Sequence, residues 1–454
     1  MTNLFNTDII AKYNTSGPRY TSYPTALEFT DQLPDRPLHH AALTSAGEGL
    51  SLYVHIPFCH SLCYYCGCHK IVTRQHDKAD RYIDYLAQEM ALNHTSFRSQ
   101  PVRQCHLGGG TPSFLSPEQM TRLMNHLRHY YVFAEDCEIS IELDPRQLDT
   151  AYVDMLWGLG FNRLSIGVQD VNDVVQSAIN RVQATEDIAA LVTHAKHIGF
   201  SSVNLDLIYG LPHQTTDTFA KTLRVVGDID PERISLFSYA HMPTRFAAQR
   251  KIKEAWLPSP EAKFRLMLQA IETLSEQGYD LIGMDHFAKP HDELAIAQRS
   301  GTLHRNFQGY TTRANLNMLG IGISSISFVG DWYMQNAKTL NEYYAALDQR
   351  TLPTQRGVVI QFDDAVRRSV IMSLMCNLSV DKIAIERDFE IQFDDYFKAE
   401  MDSLYRFECD GLLRITASSI DVKPHARLLI RNIAMTFDAY LGLAKNHQRF
   451  SRVI

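Results

Sequence analysis

Short β-branched or apolar runs recur from residue 51 onward, at 52–56, 102–107, 138–141, 163–168, 203–208, 233–239 and 280–284. Longer stretches with a helical apolar period separate them, at 79–93, 117–130, 151–159, 186–199, 215–226 and 260–277. Such alternation predicts parallel strands joined by right-handed helical crossovers. Seven strands of this kind suit a complete or partial (β/α) barrel, and a doubly wound sheet is the alternative. The repeat is architectural, since no sequence motif recurs with it.

Both ends of the chain break the rhythm. Residues 13–24 carry two prolines, a glycine and three tyrosines, which predicts an extended arm, because proline fixes φ and keeps its predecessor out of the helical region. Beyond 349, residues 363–376 and 393–407 look helical, 412–416 and 419–422 look like a hairpin, and 427–441 reads as a closing amphipathic helix. Helices with a two-stranded wing resemble a winged-helix module. The expected division is an arm at 1–50, a barrel domain at 51–349 and a mostly helical C-terminal domain at 350–454.

Composition narrows the function classes. At 454 residues, 45% hydrophobic and 21% charged, the chain can bury a sizeable core, which excludes a disordered or fibrous protein. A net charge of −7 gives no basic face for nucleic acid or an anionic membrane, so the winged module is expected to act as a lid or structural domain. Residues 1–12 lack the basic start and apolar run of a signal peptide. The uncharged stretches 49–69 and 314–330 are interrupted by His, Asn, Ser, Pro or Gly and do not read as membrane spans. A cytoplasmic monomer is expected.

The chemistry gathers where strands end. His55-Ile56-Pro57-Phe58-Cys59, Gly108-Gly109-Gly110-Thr111-Pro112, Glu142-Leu143-Asp144-Pro145 and Gly167-Val168-Gln169-Asp170 each follow a predicted strand. So do Asp206 with Tyr209-Gly210-Leu211-Pro212, Tyr239-Ala240-His241, and Asp285-His286-Phe287. In parallel barrels the C-terminal strand ends form the active face. Of the eight cysteines, Cys105, Cys137, Cys376 and Cys409 are scattered and expected to be buried thiols, whereas Cys59, Cys63, Cys66 and Cys68 crowd one loop. Structural zinc sites usually take two separated pairs of ligands. Three closely spaced thiolates, Cys59, Cys63 and Cys66, suit three corners of an iron–sulfur cube better and leave the fourth iron open.

This C-x3-C-x2-C run, with Tyr65 before its last cysteine, resembles the radical S-adenosylmethionine superfamily. Tyr53 to Cys59, Cys66-Gly67-Cys68, the glycine run 108–112, Gly167-Val168-Gln169-Asp170, Asp206-Leu207-Ile208-Tyr209-Gly210-Leu211-Pro212 and Gly283-Met284-Asp285-His286-Phe287-Ala288 narrow the likeness. With the arm 13–24 and the ending 428–441, the chain resembles the oxygen-independent coproporphyrinogen III oxidases over nearly its whole length. The fold implied is α/β, a partial (β/α) TIM-like barrel of the radical S-adenosylmethionine type with both appendages. The resemblance implies a [4Fe-4S] cluster on Cys59, Cys63 and Cys66, whose open iron chelates one S-adenosylmethionine and releases a 5′-deoxyadenosyl radical. Tyr53, Gly109, Glu142 and Ile326 would contact that molecule, Gly109 by letting backbone approach closely. A second S-adenosylmethionine would meet Tyr65, Gly110, Thr111, Gln169, Arg181, Asp206 and Ala240, with Arg181 gripping a carboxylate. Tyr53 and Cys68 are the candidate catalytic residues.

The substrate implied is coproporphyrinogen III, a tetra-carboxylate macrocycle. Arg19, Tyr20 and Tyr23 on the arm, with His241, Arg245 and His286, are its candidate contacts. A low-potential donor such as a flavodoxin or ferredoxin would supply electrons. The rival functions are a related haem chaperone without oxidase activity, against which Cys68, the arm and the long C-terminal module argue, and a zinc-bearing winged-helix regulator. The cysteine loop separates these readings experimentally. Cys68→Ser should retain iron and the charge-transfer colour of a cluster while lowering turnover, whereas serine at 59, 63 or 66 should abolish both, because hydroxyl is a poor ligand for soft iron sites. Anaerobic iron and sulfide determination on the four variants checks this, and equal loss in the Cys68 variant would reveal a fourth thiolate ligand.

Overall fold

The computed structural model describes residues 15–34, 37–45 and 47–441, together with 9, 12 and 13. The rest of the arm and the tail after Leu441 lie outside the described residues. In chain order the strands are β1 (Leu50–Ile56), β2 (Phe58–Cys59), β3 (Ile71–Val72), β4 (Val102–Gly109), β5 (Phe133–Leu143), β6 (Arg163–Gln169), β7 (Ser202–Tyr209) and β8 (Arg233–Ser238). They continue with β9 (Asp280–Gly283), β10 (His286–Ala288), β11 (His304–Asn306), β12 (Gly309–Thr311), β13 (Asn317–Ile321), β14 (Ile326–Val329), β15 (Trp332–Asn336), β16 (Thr354–Val359), β17 (Ser379–Asp381), β18 (Leu413–Ile415) and β19 (Ser419–Val422). The chain forms two compact units, one of residues 29–279 and 315–359, the other of 1–28, 280–314 and 360–454.

The first unit is built on one sheet. Strands β13, β1, β4, β5, β6, β7 and β8 lie side by side and parallel. Strands β14, β15 and β16 extend it antiparallel beyond β13. Among the described residues β8 and β16 are not paired, so the sheet is a partly open barrel wall. Predicted helices fall between the strands at Asp77–Asn93, Pro117–Tyr130, Thr150–Gly158, Thr185–Ile198, Thr216–Ile229 and Pro260–Glu276. Their starts are set locally: Ser116 and Thr215 form capping boxes, and Asp149 and Ser259 accept backbone N–H groups of the first turn.

Two expectations about strands change. The run 280–284 does not supply a parallel strand, because β9 folds back antiparallel on β10 as a hairpin. The seventh parallel strand is β13, which pairs along β1 from Leu50↔Asn317 to Val54↔Ile321. Its glycines disguise it: Gly320 packs its Cα face on the backbone of Ile326, where a Cβ would come within 2.7 Å.

The second unit has its core on the helix Phe362–Asn377, whose Val366, Val370, Ile371 and Leu374 pack with Phe393, Phe397, Phe407 and Phe437. The expected helix at 393–407 is broken at Phe397, which leaves helical dihedrals while remaining fully buried among those aromatics. The closing helix is also shorter than expected, a 3-10 segment Pro424–Leu429 followed by Ile430–Met435. It ends where Asp438 and Ala439 turn to receive the arm. The wing gains a third strand, in the order β17-β19-β18. Cys105, Cys137 and Cys376 are buried, but Cys409 is exposed because it ends the Lys398–Cys409 helix on an outward face.

The arm packs through its tyrosines. Tyr20 and Tyr23 are 1% and 0% exposed and belong to the core of the second unit. Tyr20 donates its phenol to Asp438 at 2.9 Å, and the Tyr23 hydroxyl accepts the Ala439 N–H at 3.1 Å. Their burial corrects the assignment of both as substrate contacts, since they have no surface to offer a ligand.

Within the first unit one buried carboxylate stands out. Glu89, on the Asp77–Asn93 helix, accepts from Gly322 N–H at 2.8 Å, Tyr343 hydroxyl at 2.5 Å and the Asn336 amide at 2.6 Å. Burial outweighs these donors and pushes its carboxyl up from 4.5 to about 7. Because the folded value is raised, the protonated folded state is favoured below the unfolded value, and the contribution is lost as pH rises through about 7. The span corresponds to at most about 3 kcal/mol. Glu89→Gln should therefore flatten the stability profile between pH 5 and 8, measured by urea unfolding at several pH values. An unchanged slope would mean that Glu89 is ionised in the fold.

Candidate cluster and cofactor site

The cysteine loop is closed by a short parallel pair, in which Phe58 faces Ile71 and Cys59 faces Val72. Pro57 ends β1, and the Ile71 N–H reaches its carbonyl at 2.6 Å. Inside the loop, Cys66 N–H bonds the Cys63 carbonyl at 3.3 Å, and Tyr64 N–H bonds the Ile179 carbonyl at 2.9 Å. Asn180 holds the Leu62 carbonyl at 2.8 Å. The three thiols are thus fixed at the C-terminal end of β1.

Their chemistry fits a soft cluster. Cys68 hydrogen-bonds Cys66, which holds the Cys66 thiol down at about 6 against the cost of burial, and the Cys68 N–H also lies 3.4 Å from the Cys66 sulfur. Cys63 is buried and receives Arg146 at 3.6 Å and Arg181 at 3.5 Å. Burial and then the neighbouring thiols push Cys59 up to about 12, so it ionises only when a metal draws its proton off. Among the described residues no three His, Cys, Asp or Glu side chains converge as a single metal ion requires. A cube accepts thiolates on separate corners instead.

Beside the loop, β1, β4 and β5 bring four further groups together. Register places Tyr53 opposite His106 and His55 opposite Gly108. The Tyr53 and His106 rings stack with centroids 5.9 Å apart, and the Tyr53 hydroxyl meets His55 Nδ1 at 3.1 Å. His55 Nε2–H donates to the His69 carbonyl at 3.1 Å, so the neutral ring accepts from Tyr53 at Nδ1. Burial lowers His55 to about 4, which keeps it neutral at physiological pH. Glu142 receives Gly109 N–H at 3.1 Å and His106 Nε2 at 3.4 Å. Desolvation opposes its charge, but these partners hold it below the usual carboxylate range. Ile326 begins β14 against Gly320, which is opposite Tyr53 in register, so two of the candidate S-adenosylmethionine contacts lie on either side of the same strand.

The glycines have an internal reason for being glycine. Gly109 has φ +120°, and a Cβ there would fall 2.7 Å from the His55 ring. A Cβ on Gly110 would lie 2.6 Å from the Pro57 backbone. The close approach expected toward a cofactor is thus required first by the protein itself. Thr111 N–H bonds the Phe58 carbonyl at 2.8 Å, and its hydroxyl meets Ser113 at 2.8 Å.

The remaining candidates follow along β6 to β8. Gln169 ends β6 in the left-handed region at φ 69° and is buried. Asp206 receives Ser165 at 3.1 Å and Asn204 at 2.8 Å. Arg181 donates to the Gly167 carbonyl at 2.6 Å and to Asp144 at 3.3 Å. Its Nε is buried with no hydrogen-bond partner, a donor position suited to an added carboxylate. Gln249 bonds the carbonyls of Tyr65 at 2.9 Å and Ala240 at 3.1 Å, tying both to one amide. His241 Nδ1 meets the Tyr239 hydroxyl at 2.9 Å, and exposed Arg245 lies over the Phe246 ring, which touches Gly67. In the second unit, buried Asp285 pairs with Arg19 and with His286 Nδ1 at 2.7 Å.

Sequence reasoning did not single out His55, His106, Asp144, Arg146 or Gln249 as site residues. The signal available for the first two was their period-two spacing with Tyr53 and Gly108 on strands whose inward positions are polar. Gln249 lies in the short 3-10 helix Ala247–Lys251, which carried no signal.

The family model of the Radical SAM superfamily matches residues 53–226, and that of the HemN C-terminal domain matches 360–429. The chain is 52% identical over 446 residues to an oxygen-independent coproporphyrinogen III oxidase of Escherichia coli, covering 98% of both chains. It is 47% identical over 456 residues to one of Pseudomonas aeruginosa, covering 99% of both. The solved coproporphyrinogen III oxidase (HemN) from Escherichia coli, described as a radical SAM enzyme, superposes with a TM-score of 0.92 at 50% identity, covering 96% of this chain and 99% of that one.

The tight corner generates a test. Gly110→Ala must displace rigid backbone, an overpacking that typically costs about 1–3 kcal/mol. It should lower iron per chain after anaerobic reconstitution. Gly67→Ala meets only the edge of the Phe246 ring at 3.1 Å and should load iron normally. Equal iron in both would show that the corner yields.

Proposed function

Because the chain belongs to the oxygen-independent coproporphyrinogen III oxidases of the radical S-adenosylmethionine superfamily, we propose that it oxidatively decarboxylates two propionates of coproporphyrinogen III to vinyl groups, giving protoporphyrinogen IX. The observation that carries this is the loop of Cys59, Cys63 and Cys66 fixed at the end of β1, its first cysteine four residues after His55 of the Tyr53–His55–Glu142 group in the sheet. Each propionate gives up a β-hydrogen atom, carbon dioxide and one electron. A [4Fe-4S] cluster and S-adenosylmethionine, when bound, supply the one-electron chemistry that breaks such an unactivated C–H bond.

The protein's own share is binding, orientation and exclusion of water. Tyr53, Gly109, Glu142 and Ile326 bound the first cofactor position, Glu142 offering an ionised carboxylate to an ammonium or a ribose. A second S-adenosylmethionine would use Tyr65, Gly110, Thr111, Gln169, Arg181, Asp206 and Ala240. The unpartnered Nε of Arg181 supports a carboxylate there. Cys68 acts on Cys66 by hydrogen bonding and not as a further ligand. His241 and Arg245 in the first unit, and separately Arg19 and His286 in the second, are the proposed polar contacts for the substrate carboxylates. A flavodoxin or ferredoxin is the proposed donor, and the working form is a cytoplasmic monomer. No helix among the described residues is long and apolar enough to cross a membrane. The domain roles proposed remain an arm at 1–50, a barrel at 51–349 and a C-terminal module at 350–454.

Anaerobic incubation with coproporphyrinogen III, reductant and S-adenosylmethionine should yield protoporphyrinogen IX. Haem binding without that product would instead favour the chaperone reading. Two molecules of 5′-deoxyadenosine should form per product, one for each β-hydrogen removed, as read by chromatography of a fully coupled turnover. A ratio near one would mean that the radical is regenerated between the two steps.

A further inference from the structure

Cys63 differs from the other two thiols in what surrounds it. Arg146 Nη2 lies 3.6 Å and Arg181 Nη1 3.5 Å from its sulfur. Asp144 binds both cations, Arg146 at 2.5 Å and Arg181 at 3.3 Å. None of the four side chains is fully exposed: Asp144 and Arg146 are 18% and 17% exposed and Arg181 is 7%. The seat is rigid at each member. Asp144 caps the turn Pro145–Gln147, and its own N–H bonds Ser113 at 3.1 Å. Arg181 is anchored on the Gly167 carbonyl, and Arg146 reaches the Asn180 carbonyl at 3.4 Å.

Charge arithmetic shows what this seat is built for. With Cys63 as a thiolate there are two negative and two positive charges, so the group is neutral. We propose that Asp144, Arg146 and Arg181 form a charge-balanced seat for the Cys63 thiolate, and that Arg146 raises the reduction potential of the cluster held there. This rests on the reading of Cys59, Cys63 and Cys66 as cluster ligands. Hydrogen bonds to ligand sulfurs and local net charge are two levers on cluster potential, and both stabilise the reduced, more negative state. Arg146 touches neither substrate nor reacting atoms in this reading. It is a positioning and tuning residue that acts through Cys63.

The test is an anaerobic redox titration of the full chain with its cluster, followed by electron paramagnetic resonance, with iron and sulfide measured in parallel. Arg146→Gln should keep the cluster and shift its midpoint to a more negative potential. Arg146→Lys, which keeps the charge but loses the planar fork, should shift it less in the same direction. Asp144→Asn removes the counter-charge and should shift it the opposite way. If Arg146→Gln fails to load iron, the lysine and asparagine variants decide. Unshifted midpoints, or shifts of one sign in Arg146→Gln and Asp144→Asn, would overturn the proposal alone. A native chain with no reducible cluster would overturn the functional reading and the proposal with it.

Discussion

Gly110 donates its N–H to the Ile56 carbonyl at 2.8 Å, and Thr111 donates to Phe58 at 2.8 Å, across a gap that has no room for a Cβ. This approach of two backbones fixes where β1 stops and where the cysteine loop starts. It presses Gly109 against His55, which then presents Nδ1 to Tyr53 and Nε2–H to the loop carbonyl of His69. The same glycine strand sends the Gly109 N–H to Glu142. Cluster loop, aromatic pair and carboxylate therefore share one reference frame, and the site is held to it by main-chain hydrogen bonds more than by side-chain packing.

The polar wall inside the sheet is affordable only because it is paired. Gln104 binds Glu138 at 3.0 Å, His106 binds Ser140 at 2.7 Å, and Asn204 joins Ser165 at 2.9 Å and Ser235 at 3.1 Å. A wall of this kind keeps donors and acceptors oriented at fixed positions, which an apolar barrel core cannot do. Asp170 performs the same task behind β6. Fully buried, it accepts Asn172 N–H at 2.7 Å, Thr222 at 2.9 Å and Gln214 at 2.6 Å, and so locks the turn that presents Gln169 in its left-handed conformation. The aspartate of that motif is a post that holds the glutamine out.

Periodicity located most elements because strands and crossover helices bury one face each, and that burial is written into residue spacing. The ranges of the six strands from β1 to β8 that carry the site, and of the helices between them, were legible for this reason. β13 was not, because Gly320 replaces a side chain that would make the strand visible, and it does so to admit the Ile326 backbone. The arm tyrosines misled in the opposite direction. Three aromatics within eleven residues argue that the arm packs, but only the fold reveals that Asp438 and Ala439 are the partners of Tyr20 and Tyr23. The crowding of Cys59, Cys63, Cys66 and Cys68 in one loop was legible from spacing, whereas the guanidiniums on Cys63 were not, since Arg146 and Arg181 are brought together by turns after two different strands.

The second unit poses a related electrostatic problem with Arg19, Asp285 and His286. Buried Asp285 holds the Arg19 guanidinium and the His286 ring, and the backbone on each side is strained, at Tyr20 with φ 45° and Met284 with φ 42°. Strain of this kind costs of order 1–3 kcal/mol per residue and persists only where the surroundings over-determine it. A buried ion pair that loses one partner is left with an uncompensated charge, so this arrangement enforces itself once formed. A carboxylate ligand offered to Arg19 must therefore share its cation with Asp285. That competition weakens nonspecific anions and leaves an advantage to a ligand that meets several cations at once, as a macrocycle bearing four carboxylates does.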